Sequence, residues 1–368
     1  MFDVAIIGAG PAGTAAAYDL LTKGLKVLIL DKYEFPRKKA CAGGITPKAY
    51  HLFKYDISSI IKKECRTVRI NPVNQKSFCI KDANTLCYMT KREDLDFFSL
   101  NKVIEKGAEF RVIKNILSIT ESPFFVGINT DYGCFKASYL IGADGANSIV
   151  RRFASKRRFY KKQFAIEADI KFERADRIKM EFDFSKSKNG YYWIFPKGDH
   201  VNIGVYSVDS NARLRVRQLF DYADVRLHSR RLEDIKGYPI CTGGASYRPD
   251  SKRIFLAGDA AGLAEPLLGE GIYFAVKSGQ MAALSILESE YCSASAKDLY
   301  LKRLKEIQTD LKFYDLSSKW FYRFPRLSLK ALSLPFIHKS FAKGCADGKT
   351  ITQVLFGRTG TIKTRLSI

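Results

Sequence analysis

Three glycines, Gly8, Gly10 and Gly13, constrain this chain more than any other feature. They form a G-x-G-x-x-G run directly after the short apolar segment 4–7, which reads as a buried strand. Residues 14–23 follow with a helical pattern that Gly24 ends. Residues 26–30 are a second apolar strand with Asp31 at its end. In such a unit the first glycine permits a tight turn and the second lets a pyrophosphate approach the backbone. The third lets the helix pack on the strand. The helix N-terminus offers free N–H groups and partial positive charge to phosphate. The sequence therefore predicts a βαβ dinucleotide site built on Gly8, Gly10, Pro11, Ala12 and Gly13, with Asp31 accepting hydrogen bonds from a ribose.

Further on, residues 94–106 read as a helix, and residues 116–135 alternate apolar and polar side chains as antiparallel strands do. Residues 139–142 return to a buried strand that enters a glycine turn. The segments 164–172, 180–184, 191–195 and 200–208 read as strands of a second, antiparallel sheet. A short strand at 253–256 precedes Gly258-Asp259-Ala260-Ala261-Gly262, which is expected to open a helical region reaching Glu290. From Lys297 the chain reads as helical, with breaks at Pro325 and Pro335. The expected division is 1–162 with 240–295 as one discontinuous domain carrying an antiparallel insertion around 60–135. Residues 163–239 make a cap and 296–368 a basic helical region.

Two distant segments bear on the cofactor. Gly142-Ala143-Asp144-Gly145-Ala146-Asn147-Ser148-Ile149-Val150-Arg151 resembles the G-A-D-G-x-x-S-x-V-R segment of flavoprotein reductases and hydroxylases. Arg253-Ile254-Phe255-Leu256-Ala257-Gly258-Asp259-Ala260-Ala261 resembles their second flavin signature. The resemblance implies FAD, with Asp259 at the ribityl chain, Arg92 near the flavin, and Asp144, Gly145 and Gly258 in the binding segments. The alternative for Arg92 is a solvated charge at a helix start. No second strand-linked G-x-G-x-x-G occurs, so electrons are expected from transiently bound NAD(P)H or from a ferredoxin-like protein donor.

The run from Gly258 to Ile272, with Pro266 and Gly269-Glu270-Gly271 inside it, resembles the geranylgeranyl reductase family. So do Cys41-Ala42-Gly43-Gly44 and the Y-x-W-x-F-P motif at Tyr191, Trp193, Phe195 and Pro196. The resemblance spans about residues 1–280. It implies an α/β, para-hydroxybenzoate-hydroxylase-like architecture: a Rossmann-type FAD-binding domain, an antiparallel β-sheet substrate domain and a helical C-terminal region. It adds Lys32, Cys41, Ala42, Gly43, Gly269, Gly271 and Ile272 to the cofactor set, with no metal. The implied reaction saturates C=C bonds of an isoprenoid lipid or prenylated quinone. Alternate residues of a strand share a face, so Tyr191, Trp193 and Phe195 form one aromatic wall; an aromatic core strand fits the same pattern. Pro266 and Tyr206 are expected beside the substrate. Tyr206 stands where the family has glycine and is expected to narrow the channel. Cys41 is expected to supply or relay a proton, its alternative being an inert buried thiol. A flavin monooxygenase or halogenase is the competing enzyme, since tryptophan halogenases carry a related W-x-W-x-I-P. Gly262, where aromatic hydroxylases of this fold usually have histidine, and the Gly269-Glu270-Gly271 run argue against it. A flavin-binding, membrane-associated protein without turnover is the non-enzymatic alternative.

Lys and Arg number 61 against 38 Asp and Glu, giving a net charge of +23. Such a field favours anionic partners, although solvated lysine faces account for it as well. Basic residues concentrate in 151–162 and in the tail. The tail carries Lys312, Lys319, Arg323, Arg326, Lys330, Lys339, Lys343, Lys349, Arg358, Lys363 and Arg365 against Asp315 and Asp347, among many aromatic and aliphatic side chains. That mixture suits an anionic membrane surface. No nucleic-acid signature accompanies it, so nucleic acid is not expected as a partner. The eight cysteines include no C-x-x-C pair and are expected as buried thiols in a reducing compartment. No signal-like segment precedes the first strand, and no run of about 18 apolar residues is present. A cytoplasmic location, at most peripheral to the cytoplasmic membrane, is expected.

Overall fold

The computed structural model describes residues 1–155, 159–172 and 174–356. Residues 156–158 of the first basic run and 357–368 of the tail, including Arg358, Lys363 and Arg365, lie outside the described residues.

Two seven-stranded sheets organise the chain. In the first, Phe2–Ile7 lies between Val27–Asp31 and Cys134–Gly142, all parallel, with Glu109–Val112 beyond Val27–Asp31. The two central strands are apolar at their middles because helices cover the sheet there: Val4 to Ile6 and Leu28 to Leu30 are all fully buried. Cys134–Gly142 is long enough to pair three ways. Its last residues take Ile254–Leu256 alongside, and its first residues pair antiparallel with Val126–Thr130, which pairs in turn with Ile116–Glu121.

The second sheet runs Glu233–Thr242, Lys161–Lys171, His200–Ser207, Gly190–Pro196, Met180–Asp183, Thr67–Asn71, Phe78–Lys81. It is antiparallel except where Met180–Asp183 meets Thr67–Asn71. Residues 67–81 therefore belong here, and not with the insertion expected in the first domain. A pairing between strands more than a hundred residues apart leaves no local trace in sequence. Both faces of this sheet are covered. Tyr192, Ile194, Ile203 and Val205 pack on the helix Val216–Leu227. Tyr191, Trp193, Phe195 and Tyr206 form the opposite face.

Three expected boundaries shift. The first helix starts at Pro11, inside the glycine motif, because proline fits the first helical position. The helix expected from Asp94 starts at Arg92. The region 258–290 is not continuously helical: one 3-10 turn, Gly258–Ala261, gives way to a loop with left-handed Gly262 and Gly269 before the helix Ile272–Ser289. That helix crosses the first helix so closely that a Cβ on Gly279 would stand 2.1 Å from the Ala12 carbonyl oxygen. The C-terminal helices are Ala296–Arg323, Pro325–Ser333, Pro335–Ala346 and Ile351–Phe356, two of them opening on the expected prolines. All eight cysteines are free thiols. Cys134 and Cys292 are exposed, against the expectation of buried thiols: Cys134 opens a strand after a turn, and Cys292 lies in the bend between two helices.

Candidate active site

A cleft of about 320 Å³ opens between the two sheets and the C-terminal helices, within the range of roughly 300–1,000 Å³ usual for small-molecule sites. One end is the glycine motif. Gly8 takes φ +106, and a Cβ there would stand 2.3 Å from the Ala143 carbonyl oxygen. A Cβ on Gly13 would stand 1.9 Å from the Gly8 oxygen. Both positions accept only glycine, and both lie beneath the cleft. Gly10, Pro11 and Ala12 line it. Gly10 is the N-cap of the helix Pro11–Thr22 and carries no side-chain cap, so the first N–H groups are free for a ligand. Asp31 does not line the cleft. Its carboxylate accepts the Ala9 N–H at 2.8 Å and the Tyr33 N–H at 3.0 Å, which holds the motif loop against the second strand. Lys32 is exposed, 4.8 Å over the Tyr33 ring, and also stands outside the cleft.

Arg92 is buried at the cleft, not solvated. Asp96, one helical turn on, receives its guanidinium through three contacts of 2.9–3.0 Å and also holds Arg37 at 3.3 Å. Lys39 joins Arg92 on the cleft wall. Burial and the charge of Arg92 push its ammonium below the usual lysine range. Asp144 does not line the cleft; its Oδ2 accepts the N–H groups of Ile149 and Val150, while Gly145 and Ala143 line it. Arg151 joins the two distant flavin-like segments. It donates to the carbonyls of Ala260 at 2.9 Å, Asp259 at 3.2 Å and Ala146 at 2.7 Å, and its guanidinium lies 3.8 Å over the Tyr160 ring. Gly258, Asp259, Gly271 and Ile272 complete this side. Burial raises the Asp259 carboxyl above the usual range, against the charge of Lys39.

The loop between Gly262 and Ile272 is folded around Glu265. Its buried carboxyl accepts the N–H groups of Leu267, Leu268 and Glu270 at 2.7–3.0 Å. Burial still pushes it up to about 7. This fold sets Gly269 at φ +76, where a Cβ would meet the Tyr206 ring at 3.2 Å. Pro266 does not line the cleft. Its carbonyl accepts Tyr206 Oη at 3.2 Å and Ser318 Oγ at 2.9 Å. Glu270 pairs with Lys48 at 2.6 Å. Burial opposes the Lys48 charge, but Glu270 and Tyr314 overcome it and hold the ammonium well above its ordinary value.

Opposite stands the Cys41 loop. The Cys41 N–H donates to Glu167 Oε1 at 2.7 Å, and Cys41 Sγ accepts the Gly43 N–H at 3.4 Å. Gly43 has φ +70, and a Cβ would fall 2.0 Å from the Thr90 oxygen and 2.7 Å from Lys197 Nζ. Cys41, Ala42 and Gly43 line the cleft beside Glu167. Burial pushes Glu167 up to about 7, against the Lys197 charge and the Cys41 N–H. The same burial lowers Lys197, against the charges of Asp169 and Glu167.

Tyr191, Trp193, Phe195 and Tyr206 form the remaining wall with Met180 and Phe182. The Phe182 ring lies 5.2 Å from Tyr191 and 5.4 Å from Phe195. The Trp193 N–H is spent on Asn202 at 2.8 Å and the Tyr191 hydroxyl on the Leu268 carbonyl, so the wall presents ring faces to the cleft. Tyr206, 1% exposed, is fixed by its hydroxyl to Gln163 at 2.5 Å.

Lys39, Lys48, Glu167, Lys197 and Glu265 escaped the sequence reading. One signal was available for Glu167. It shares strand parity with Gln163 and Ala165, opposite to the apolar Ala168 and Ile170, which marks an acid on an inward face. The other four lie in loops or a short helix, where no periodicity announces direction.

Residues 3–70 match the family model described as FAD dependent oxidoreductase. Over 360 residues the chain is 35% identical to an uncharacterized protein of Methanosarcina barkeri, covering 96% of this chain and 93% of that one. It is 28% identical to a digeranylgeranylglycerophospholipid reductase of Methanococcus vannielii, over 86% of this chain and 87% of that one. It is 29% identical to a chloroplastic geranylgeranyl diphosphate reductase of Nicotiana tabacum, over 94% and 78%. The fold matches a geranylgeranyl bacteriochlorophyll reductase-like structure from Thermoplasma acidophilum with a TM-score of 0.75 at 22% identity, covering 96% of this chain and 94% of that one. It also matches a flavin-dependent brominase with a TM-score of 0.74 at 19% identity, covering 95% and 94%.

Proposed function

The chain belongs to the geranylgeranyl reductase family of FAD-dependent oxidoreductases, and from this premise we propose that it saturates isolated C=C bonds in the isoprenoid chain of a lipid or quinone. The observation that carries the reading is one continuous cleft with an uncapped helix N-terminus on one side and an aromatic wall on the other.

The residues fit FAD. The uncapped turn at Gly10, Pro11 and Ala12 would hold the pyrophosphate, with the cations of Arg92 and Lys39 facing it. Gly43, Gly145, Asp259, Gly271 and Ile272 would flank the rest of the cofactor. Bound and reduced, FAD supplies hydride chemistry. This chain's residues must then hold the alkene, exclude water and bring a proton to the second carbon.

The wall of Tyr191, Trp193, Phe195 and Phe182 suits a flexible apolar chain. With their polar atoms already satisfied, the rings shed water at little cost. An unactivated alkene gathers positive charge at its more substituted carbon as it is reduced. A desolvated ring face stabilises such charge by about 1–2 kcal/mol. Cys41 is the proton-bearing group on the facing loop. Glu167 accepts the Cys41 N–H and so holds the Cys41 loop in place, with the charge of Lys197 acting on its buried carboxyl. Tyr206 puts a ring on the cleft wall where the family has glycine, which favours a shorter or thinner chain than a geranylgeranyl group. The donor of electrons is a nicotinamide cofactor or a ferredoxin-like protein.

The test is anaerobic. The flavin-loaded protein is reduced with dithionite and offered polyprenyl diphosphates, prenylated quinones and prenyl ether lipids. Product gaining two hydrogens per double bond, and losing that gain in Cys41→Ser, is the expected result. Turnover that requires oxygen and yields a hydroxylated or halogenated product would overturn the reading, as would failure to reduce any of these alkenes.

A further inference from the structure

We propose that the outer face of the C-terminal helices, from Leu316 to Ile337, is a docking surface for an anionic lipid bilayer. Seven of the twenty exposed large apolar side chains among the described residues fall in this one segment. They are Leu316, Trp320, Phe324, Leu327, Leu334, Phe336 and Ile337, and Phe336 is 85% exposed. Isolated surface apolar side chains are ordinary, but a contiguous group marks an interaction site. On the helix Ala296–Arg323, residues Leu316, Lys319, Trp320 and Arg323 are spaced as one outward face, and the Trp320 and Phe324 rings touch at 4.8 Å. The helices Pro325–Ser333 and Pro335–Ala346 extend the face with Leu327, Leu334 and Phe336.

Charge identifies the occupant. Residues 312–349 hold eight Lys and Arg against two Asp. All eight cations are exposed. The two aspartates are already engaged, Asp315 with Lys319 at 2.6 Å and Asp347 with Lys349 at 3.2 Å. Arg323, Arg326, Lys330, Lys339 and Lys343 have no ion-pair partner among the described residues. Apolar rings surrounded by unpaired cations complement a surface that offers acyl chains beneath a layer of anionic headgroups. A second copy of this chain would bring the same cations together and repel.

The inner side of the same helices closes the cleft. Ser318 and Tyr322 donate to the carbonyls of Pro266 and Leu267, at 2.9 and 2.7 Å. The Phe321 ring packs 5.1 Å from Phe184, beside the aromatic wall. Phe341 and Cys345 line the cleft itself. A bilayer seated on the outer face would therefore lie one helix away from the aromatic wall.

The chain carries its own reporter. Of its two tryptophans, Trp193 is 4% exposed and Trp320 is 58% exposed. The flavin-loaded protein is mixed with vesicles of phosphatidylcholine alone or containing phosphatidylglycerol. Flotation only with the anionic vesicles, weakening as salt rises, and a blue shift of emission that is lost in Trp320→Phe are expected. Lys330→Glu combined with Lys339→Glu should weaken binding at least tenfold, and Phe336→Ser likewise, with flavin content unchanged. Flavin content separates loss of docking from loss of folding, and the readout is independent of whether any alkene is reduced. Equal binding to neutral vesicles, no flotation at low salt, or variants that float like the parent would each overturn the proposal. So would a dimer in sedimentation that Phe336→Ser dissolves.

Discussion

Glu167 holds its carboxyl on an inward strand position, 8% exposed, with the Cys41 N–H as its hydrogen-bond donor. Burial disfavours the charged form and pushes the group up to about 7 from an ordinary 4.5. The folded protein thus holds this proton more tightly than the unfolded chain does. The stabilising contribution is fully present below about 4.5 and is lost as pH rises through about 7. A shift of that size corresponds to roughly 3 kcal/mol. Glu167→Gln keeps an oxygen for the Cys41 N–H and removes the titration. Between about pH 5 and pH 8 the parent should therefore lose roughly 3 kcal/mol more stability than the variant, read by urea denaturation at each pH. Glu265, also near 7, imposes its own slope on both proteins and cancels in the difference.

At the scale of elements, the site exists because separate segments are tied together. Arg151, at the start of the short helix Val150–Ala154, reaches the carbonyls of Asp259 and Ala260 beyond the strand Ile254–Leu256. It also holds Ala146 in its own turn. Arg151→Met would leave these carbonyls without their donor and break the link between two cofactor segments. Buried hydrogen bonds to a charged group are worth about 1.5–3 kcal/mol each, and losses within one network do not add fully. A destabilisation of about 3 kcal/mol with reduced flavin retention is expected, measured by denaturation and by flavin absorbance after gel filtration. Arg151→Lys should rescue little, because one ammonium cannot span both sides as the guanidinium fork does.

For the whole molecule, the excess of 23 positive charges acts against compactness. Few of the tail cations are neutralised by neighbours, so the repulsion is largely between exposed groups and is open to screening. Lengthening the salt range from about 0.01 M, where the screening length is about 30 Å, to about 0.1 M, where it is about 10 Å, should raise the thermal midpoint. A scan in sodium chloride checks this; a midpoint that falls with salt would show that the ion pairs, among them Lys48 with Glu270, outweigh the repulsion. No helix among the described residues is long and apolar enough to cross a membrane.

The sequence by itself determined what depends on short range. The glycine motif, the strands on either side of it and the first helix follow from spacing, because a positive φ or a close backbone approach admits only glycine. The aromatic wall was legible for the same reason: alternation in a strand is local, and Tyr191, Trp193 and Phe195 do share a face. Only the tertiary structure decided the rest. Residues 67–81 joined the second sheet through a pairing with Met180–Asp183 that no local pattern encodes. Asp31, Asp144 and Pro266 proved to brace loops by hydrogen bonds instead of lining the cleft. Lys39, Lys197 and Glu265 became notable only through burial, which sequence does not reveal for single residues in loops. Charge and desolvation are properties of the space around a side chain, and that space is assembled by parts of the chain far apart in order.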